Sequence, residues 1–359
     1  MKKIVGTIAA IALAASSAFA GVNVGMGFNR GFFVPFAYDG TDAKAGISTS
    51  WGAEPRVGVS FSAASEQVGV VADVKFDGGN VAVNDNAYIW VKPTSWFKMN
   101  IGQSFDDTLR GNACFGSWDW LRPGNILGED LIFTRVCNNP LAGAWAPLQG
   151  AILMLDPIEG LHISVGLPTG YGIAANWEDL VAKTQVQAGY TIADVAQIKA
   201  QWIGAGKNVD DEIEGQIEVA ASVKAIEGMT LDVGAKFRTI EDAPIDVAVF
   251  WGMPVAGLAL NANALVTIPT ADDADMSLAI GAGVGYDLGN GMGVGADVRY
   301  SQTFDDVTDP AIAFAAWFDK GIANGTLGVA VQGATKTGIR DIAASDFSFA
   351  VPVRVQCFF

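Results

Sequence analysis

A two-residue alternation of apolar and polar side chains runs through most of this chain and constrains its fold more than any other feature. It is clearest over residues 68–76, 213–223, 231–238, 258–268 and 292–300. Successive side chains of a β-strand point to opposite faces, so this period predicts strands with one apolar face each. The alternating segments are about ten residues long, the length of a tilted strand that crosses a bilayer.

Composition excludes several other classes of protein. The chain has 359 residues, of which 50% are hydrophobic and 17% are charged. Beyond residue 20, no stretch approaches the ~18 consecutive apolar residues of a membrane-spanning helix, so a helical membrane protein is excluded. The apolar and aromatic content excludes a disordered chain. A net charge of −16 repels phosphates and argues against a nucleic-acid partner.

The first twenty residues have the three parts of an export signal. Lys2 and Lys3 form a basic start, residues 4–15 form a short apolar core, and Ala18–Ala20 matches the small-x-small rule for cleavage. We therefore expect residues 1–20 to be a cleaved signal peptide. Export places the cysteines of the mature chain in an oxidising compartment.

A soluble β-sandwich also alternates, but two further features favour a membrane barrel. The apolar face is uniform, whereas the other face carries Gly, Ser, Gln and charges of both signs. Tight turns alternate with longer polar loops, as the periplasmic turns and outside loops of outer-membrane barrels do. Residues 21–359 are therefore expected to form an all-β fold, a transmembrane antiparallel β-barrel of about 18 strands (16–20) with a water-filled lumen.

The last strand carries the sharpest single signal. Residues 347–359 place an apolar side chain at every odd position, and the chain ends on Phe359. This pattern resembles the C-terminal signal of bacterial outer-membrane proteins, whose terminal aromatic residue is read by the barrel assembly machinery. The resemblance implies a place in the bacterial outer membrane, in contact with its lipid. Pro352 departs from the pattern because it lacks an N–H donor, and we expect a bulge in the neighbouring strand.

A second, local resemblance concerns the hairpin over residues 87–103. It is similar to hairpins of trimeric porins and of porin-like outer-membrane proteins of spirochaetes. The resemblance implies a porin that assembles as a homotrimer.

The polar rows predict the lining of the lumen. A charge on the lipid-facing side would cost roughly 2–4 kcal/mol at mid-membrane, so the charged strand residues are assigned to the lumen. A wet wall of mixed charge suits small hydrophilic solutes. Six basic and six acidic residues make up this predicted lining: Lys75, Lys199, Lys236, Arg238, Arg299, Arg354, Asp73, Glu214, Glu218, Asp232, Asp246 and Asp297.

The segment 106–145 interrupts the rhythm as the single long connection, and long loops in compact folds tend to be functional. It resembles the constriction loop that folds into the lumen of general porins. An external cap or a receptor-binding surface is the alternative, and the sequence leaves it open. The candidate constriction residues are Asp106, Asp107, Arg110, Trp118, Asp119, Trp120, Arg122, Glu129, Asp130 and Arg135.

Two of the three cysteines, Cys114 and Cys137, lie in this loop, whereas Cys357 lies at the opposite end of the barrel. A disulfide between them would restrict the loop by roughly 3 kcal/mol on the chain-entropy model. In an exported chain we expect this bond rather than two free thiols.

Residues for catalysis are nearly absent. His162 is the single histidine, and Ser164 shares its face of one predicted strand. No third partner or nucleophile motif accompanies them, so we expect a wall histidine and no enzyme activity. The chain also lacks the residue patterns of metal and cofactor sites, and we expect neither group.

The sequence therefore favours an outer-membrane porin for passive diffusion of ions and small hydrophilic solutes. The acidic loop segments 210–212, 272–275 and 305–309 predict a mild preference for cations. The alternatives are a structural or adhesive outer-membrane protein acting through its loops, a barrel enzyme, and a secreted soluble β-protein.

Overall fold

The computed structural model of the chain describes residues 22–26, 29–48, 57–77, 80–109, 120, 147–170, 176–339 and 341–357. The expected signal peptide, the pair Cys114 and Cys137, and the terminal Phe359 lie outside the described residues.

The described chain is almost entirely β-strand, as the alternation predicts. Twenty strand segments and one short helix follow one another along the chain. They are β1 (Val22–Met26), β2 (Asn29–Tyr38), β3 (Ala43–Ile47), β4 (Val57–Ala64), β5 (Val68–Asp77), β6 (Asn80–Thr94), β7 (Phe97–Ser104), β8 (Leu148–Leu155), β9 (Leu161–Leu167), α1 (Trp177–Lys183), β10 (Gln185–Ile192), β11 (Ala196–Lys207), β12 (Ile213–Val223), β13 (Thr230–Arg238), β14 (Ile245–Val255), β15 (Leu258–Ile268), β16 (Ser277–Gly289), β17 (Met292–Thr303), β18 (Ala311–Ile322), β19 (Gly325–Ala334) and β20 (Ser348–Cys357).

All twenty segments belong to one antiparallel sheet that curves into a barrel. From β4 to β20 each strand pairs with the next in the chain, β20 pairs with β2, β2 with β3, and β4 with β1. The described ladder therefore ends at β3 and at β1 and is not closed by hydrogen bonds between those two. The two ends nevertheless adjoin, because β2, which pairs with β3, contacts β4, which pairs with β1. Gly58 of β4 donates its N–H to Asn29 Oδ1 of β2 (2.8 Å), and only residues 27 and 28 separate β1 from β2.

The strand number agrees with the expected range. If β1 with β2 and β3 with β4 are each counted as one interrupted strand, the twenty segments reduce by two to eighteen. The two shortest described strands, β1 and β3 with five residues each, lie before residue 56, where the alternation is weakest.

The two faces of the sheet have a polarity opposite to that of a soluble protein. Large apolar side chains such as Ile198, Val249 and Val298 are exposed on one face. The residues between them along the same strands, such as Lys199 and Arg299, are buried on the other face. An exposed apolar face of this extent is the outer surface expected of a barrel that lies in lipid.

Pro352 interrupts the ladder as expected. The pairing of β20 with β19 passes from Val329–Val353 to Gln332–Ala350, so no pair includes the proline. On its other side, β2 carries a register shift between Phe33 and Phe36. A strand that has lost one donor is accommodated by an extra residue in its neighbour, which confirms the expected bulge.

The helix α1 lies in a connection where the alternation predicts only a polar loop. Asn176 caps it by accepting a hydrogen bond from the backbone N–H of Glu178 (3.2 Å), and Lys183 lies in its last turn. Lys207 of β11 bonds Glu178 across the loop at 3.0 Å. The helix is only seven residues long and mostly exposed, so its period could not be read from the sequence.

Within the ranges described, no helix is long and apolar enough to cross a membrane.

Candidate functional site

The twelve charged residues assigned to the lumen all lie in strands, on the face opposite the exposed apolar rows. Six of them are buried: Lys199, Glu218, Asp246, Asp297, Arg299 and Arg354. The other six are half-buried: Asp73, Lys75, Glu214, Asp232, Lys236 and Arg238.

Several of these charges are joined across neighbouring strands. Arg238 of β13 bonds Asp246 of β14 at 2.8 Å, and Thr267 of β15 donates to the same carboxylate at 2.8 Å. Lys236 lies 3.9 Å from Glu218 of β12. Because opposite charges adjoin, the inner face carries little net charge at these rows.

One residue of the long loop enters this interior directly after β7. Asp106 is only 3% exposed, and its carboxylate oxygen Oδ2 lies 2.8 Å from Nε2 of His162 on β9. Gln187 of β10 donates to the same oxygen at 2.7 Å, and Thr108 donates its hydroxyl to the other oxygen at 2.7 Å. Burial alone raises the pKa of Asp106, but the hydrogen bonds from His162, Ser164 and Thr108 outweigh it and hold that pKa well below its usual value.

His162 has a carboxylate at each ring nitrogen. Its Nδ1 lies 2.7 Å from Oδ1 of Asp156, which follows β8, while its Nε2 faces Asp106. Ser164 lies two residues further along β9, but neither ring nitrogen remains available to accept its proton. Among the described contacts, Ser164 therefore makes no hydrogen bond with His162.

The contact between Asp106 and His162 requires the chain after β7 to bend sharply into the barrel. Phe97 pairs with Leu155, which pairs with Ile163 next to His162, so these three residues are level with one another. Ser104 lies seven residues beyond Phe97, which is about 23 Å along a straight strand. Asp106 follows two residues later, too few to return over that distance. The described residues after Gly102, up to Leu109, must therefore fold inward.

A pair of glycines lies where the hairpin bends. Gly102 and Gly150 are directly opposite each other in the β7–β8 ladder, and both have positive φ (128° and 156°). A Cβ at Gly102 would lie 2.3 Å from the carbonyl oxygen of Ala87, and one at Gly150 would lie 2.0 Å from that of Leu167. Only glycine fits this backbone at both positions.

Leu109 continues the inward path. It is buried, and its side chain rests on Gly189 of β10, where an added Cβ would lie 2.6 Å from Leu109 Cδ2. The glycine therefore leaves room for a loop side chain against the wall.

Trp120 is anchored to a different part of the barrel. It is 2% exposed and makes an edge-to-face contact with Phe32 of β2, with ring centroids 6.1 Å apart. The guanidinium of Arg354 on β20 lies 4.5 Å from the centre of its ring, and Arg354 also bonds Asp319 of β18 at 2.8 Å. Gly328 of β19 makes room for the indole, since a Cβ there would lie 2.7 Å from Trp120 Cζ2.

Leu109 and Trp120 therefore contact walls that face each other. β10 and β19 are nine strands apart in the ladder, half the circumference of an eighteen-strand ring. Of the ten candidate constriction residues, Asp106 and Trp120 are buried in the interior and Asp107 is exposed. The other seven, Arg110, Trp118, Asp119, Arg122, Glu129, Asp130 and Arg135, lie outside the described residues.

Comparisons with known proteins agree with the polarity and topology of the barrel. No family model matches the sequence, and no curated protein matches it. Among solved structures, OpdL of Pseudomonas aeruginosa aligns with a TM-score of 0.57 at 9% identity, over 95% of this chain and 99% of its own. OccK5 (OpdH) of Pseudomonas aeruginosa gives 0.57 at 11% identity, over 94% and 98%. The anion-selective porin of Comamonas acidovorans gives 0.52 at 9% identity, over 94% and 99%.

The chain has the fold of the bacterial outer-membrane porins. Identities of about a tenth support the fold and not a shared solute. The porin fold accounts for the inverted polarity, because its apolar outer band contacts lipid and its inner face is polar.

Proposed function

We propose that this protein is a passive channel of the bacterial outer membrane for ions and small hydrophilic solutes. One observation supports it above the others: buried Lys, Arg, Glu, Asp and Gln line one face of a continuous sheet whose other face is exposed and apolar. A barrel of 16–18 strands encloses a space too wide for wall side chains to fill, so water occupies what remains.

We further propose that the inward part of the long loop narrows this channel. The support comes from its anchors, since Asp106 and Leu109 are held against β9 and β10, and Trp120 against β2 and β20. Anchors on facing walls are expected for a constriction and not for an external cap. A disulfide between Cys114 and Cys137 would stiffen this segment further.

Selectivity is proposed to be mildly cationic. The inner wall has balanced charge, so the loops decide the field at the mouth. Acidic residues outnumber basic ones there, although Lys207 pairs with Asp211, and Lys336 pairs with Asp309 and Asp346. The remaining excess acid raises the local concentration of cations.

The proposed route to the membrane follows from the two chain ends. The signal peptide would direct export, and the terminal Phe359 would engage the barrel assembly machinery. A homotrimer is proposed by resemblance to trimeric porins.

Planar-bilayer recording of detergent-purified, folded protein under a KCl gradient tests this function. We expect stepwise current increments and a reversal potential of cation-selective sign. Heat-denatured protein is the control for detergent artefacts. Folded barrels that give no current would overturn the channel and favour a structural or adhesive role, whereas anion selectivity would overturn only the assignment of the field to the acidic loops.

A further inference from the structure

We propose that His162 is a positioning residue whose positive charge holds residues 106–109, the start of the long loop, against the channel wall, so that these residues loosen as pH rises. This inference rests on the proposed function, because it concerns the loop that narrows the channel.

The geometry around the ring determines its charge. Nδ1 lies 2.7 Å from a carboxylate oxygen of Asp156, and Nε2 lies 2.8 Å from one of Asp106. A carboxylate can only accept, and a neutral imidazole has one N–H. Both contacts are therefore hydrogen bonds only when the ring carries two protons. In the neutral ring, one nitrogen lone pair would face a carboxylate oxygen at hydrogen-bond distance, which is repulsive.

The two carboxylates lie on different parts of the chain. Asp106 is in the inward loop, whereas Asp156 is at the tight turn between β8 and β9, where its side chain is 59% exposed. A charged ring thus ties the loop to the wall and to the turn. Loss of the proton weakens this tie and leaves the hydrogen bonds that Gln187 and Thr108 donate to Asp106.

The other charged groups near the ring do not replace it. Lys98 of β7 acts on Asp106 through space only. Lys199 of β11 lies on the same cross-strand row as His162, with Gly189 between them in the ladder. Neither lysine bonds Asp106 or Asp156 among the described contacts. Hydrogen bonds to charged groups are roughly twice as strong as neutral ones, so the ring proton contributes a large part of the tie.

The direct test uses the fact that His162 is the only histidine in the chain. Folded protein labelled with ¹⁵N-histidine gives one pair of ring resonances. We expect both nitrogens to have protonated chemical shifts at about pH 7, where a free histidine is mostly neutral. Shifts of a neutral ring at that pH would overturn the inference, without any variant that could fail to fold.

The functional test is single-channel recording between about pH 6 and 9, in the range where histidine titrates. The variance of the wild-type open-channel current should be roughly tenfold larger at about pH 9 than at about pH 6, because one charge-assisted hydrogen bond is lost. His162→Gln should fluctuate at every pH, and Asp156→Asn should reduce the difference. Ser222→Ala, on the same inner face of β12, is the matched control and should retain the wild-type profile.

The outcomes separate this inference from the proposed function. A wild type that conducts with the same fluctuation at all pH values would overturn the role of His162 and leave the channel intact. Folded protein that never conducts would overturn the channel, while the resonances of His162 would still report its charge.

Discussion

Gly102 and Gly150 face each other across the β7–β8 ladder, and both adopt a positive φ. This pair permits the chain after Gly102 to turn into the barrel, and it brings Asp106 to His162 near the start of β9.

Replacing either glycine with alanine should therefore destabilise the hairpin. The added Cβ would lie 2.3 Å or 2.0 Å from a backbone carbonyl oxygen, in a conformation that side chains rarely adopt. We expect a loss of about 1–3 kcal/mol in the free energy of unfolding for each variant, measured by urea titration in detergent. Gly46→Ala is the control, because nothing lies within 4 Å of its Cβ position. Equal stability of all three variants would show that the bend is not constrained there.

Removing the indole of Trp120 should widen the channel. The ring packs on Phe32 and under the guanidinium of Arg354, and its loss releases the second anchor of the loop. We expect Trp120→Ala to raise single-channel conductance while the barrel remains folded. Trp177→Ala, at a position 74% exposed in α1, should leave conductance unchanged. Unchanged conductance in both variants would contradict the assignment of Trp120 to the constriction.

Acid should leave the Asp106 anchor intact until the solution is strongly acidic. The pKa of this carboxyl in the fold is depressed below its usual 3.8, so its stabilisation is present above that value and is lost only as pH falls through the lower one. Current fluctuation attributable to the loop should therefore stay constant from about pH 6 down to pH 4. Asp106→Asn, which cannot carry the charge, should fluctuate more throughout that range. A wild type that loosens at pH 5 would indicate an ordinary carboxyl at this position.

A charge on the outer face should be costly, and the same charge on the inner face tolerated. Ile198 is 58% exposed on the apolar side of β11, and Gln201 lies on its polar side. We expect Ile198→Lys to lower the free energy of unfolding in lipid by roughly 2–4 kcal/mol, and Gln201→Lys to lower it by much less. A larger loss for Gln201→Lys than for Ile198→Lys would mean that the face of Gln201, and not that of Ile198, contacts lipid.

Much of the fold could be predicted from the sequence because its determinants are local. Alternation depends on neighbouring residues, and it places Lys199 and Arg299 on one face and Ile198 and Val298 on the other. Pro352 predicts its own bulge because the missing donor is a property of one residue. Alternation is weak before residue 56, so the bounds of β1, β2 and β3 could not be predicted in the same way.

The candidate site was less accessible to prediction because it depends on contacts distant in the chain. The sequence predicts Asp106 as a loop acid and His162 as a wall histidine, but 56 residues separate them. No local pattern reports that a hairpin bends at Gly102 and Gly150. Only the contact between Asp156 and His162 has a local signal, because the two residues lie six apart on either side of one tight turn.

In the proposed channel, the polar face surrounds water and the apolar face contacts lipid. Cysteine substitution on β17 tests it most directly: Ser301 lies on the face of Asp297 and Arg299, and Val298 lies on the exposed face. A charged, membrane-impermeant thiol reagent should reduce the current through Ser301→Cys and leave Val298→Cys and the parent chain unchanged. A reduced current through Val298→Cys, with no effect on Ser301→Cys, would mean that the face of Val298 surrounds the water instead.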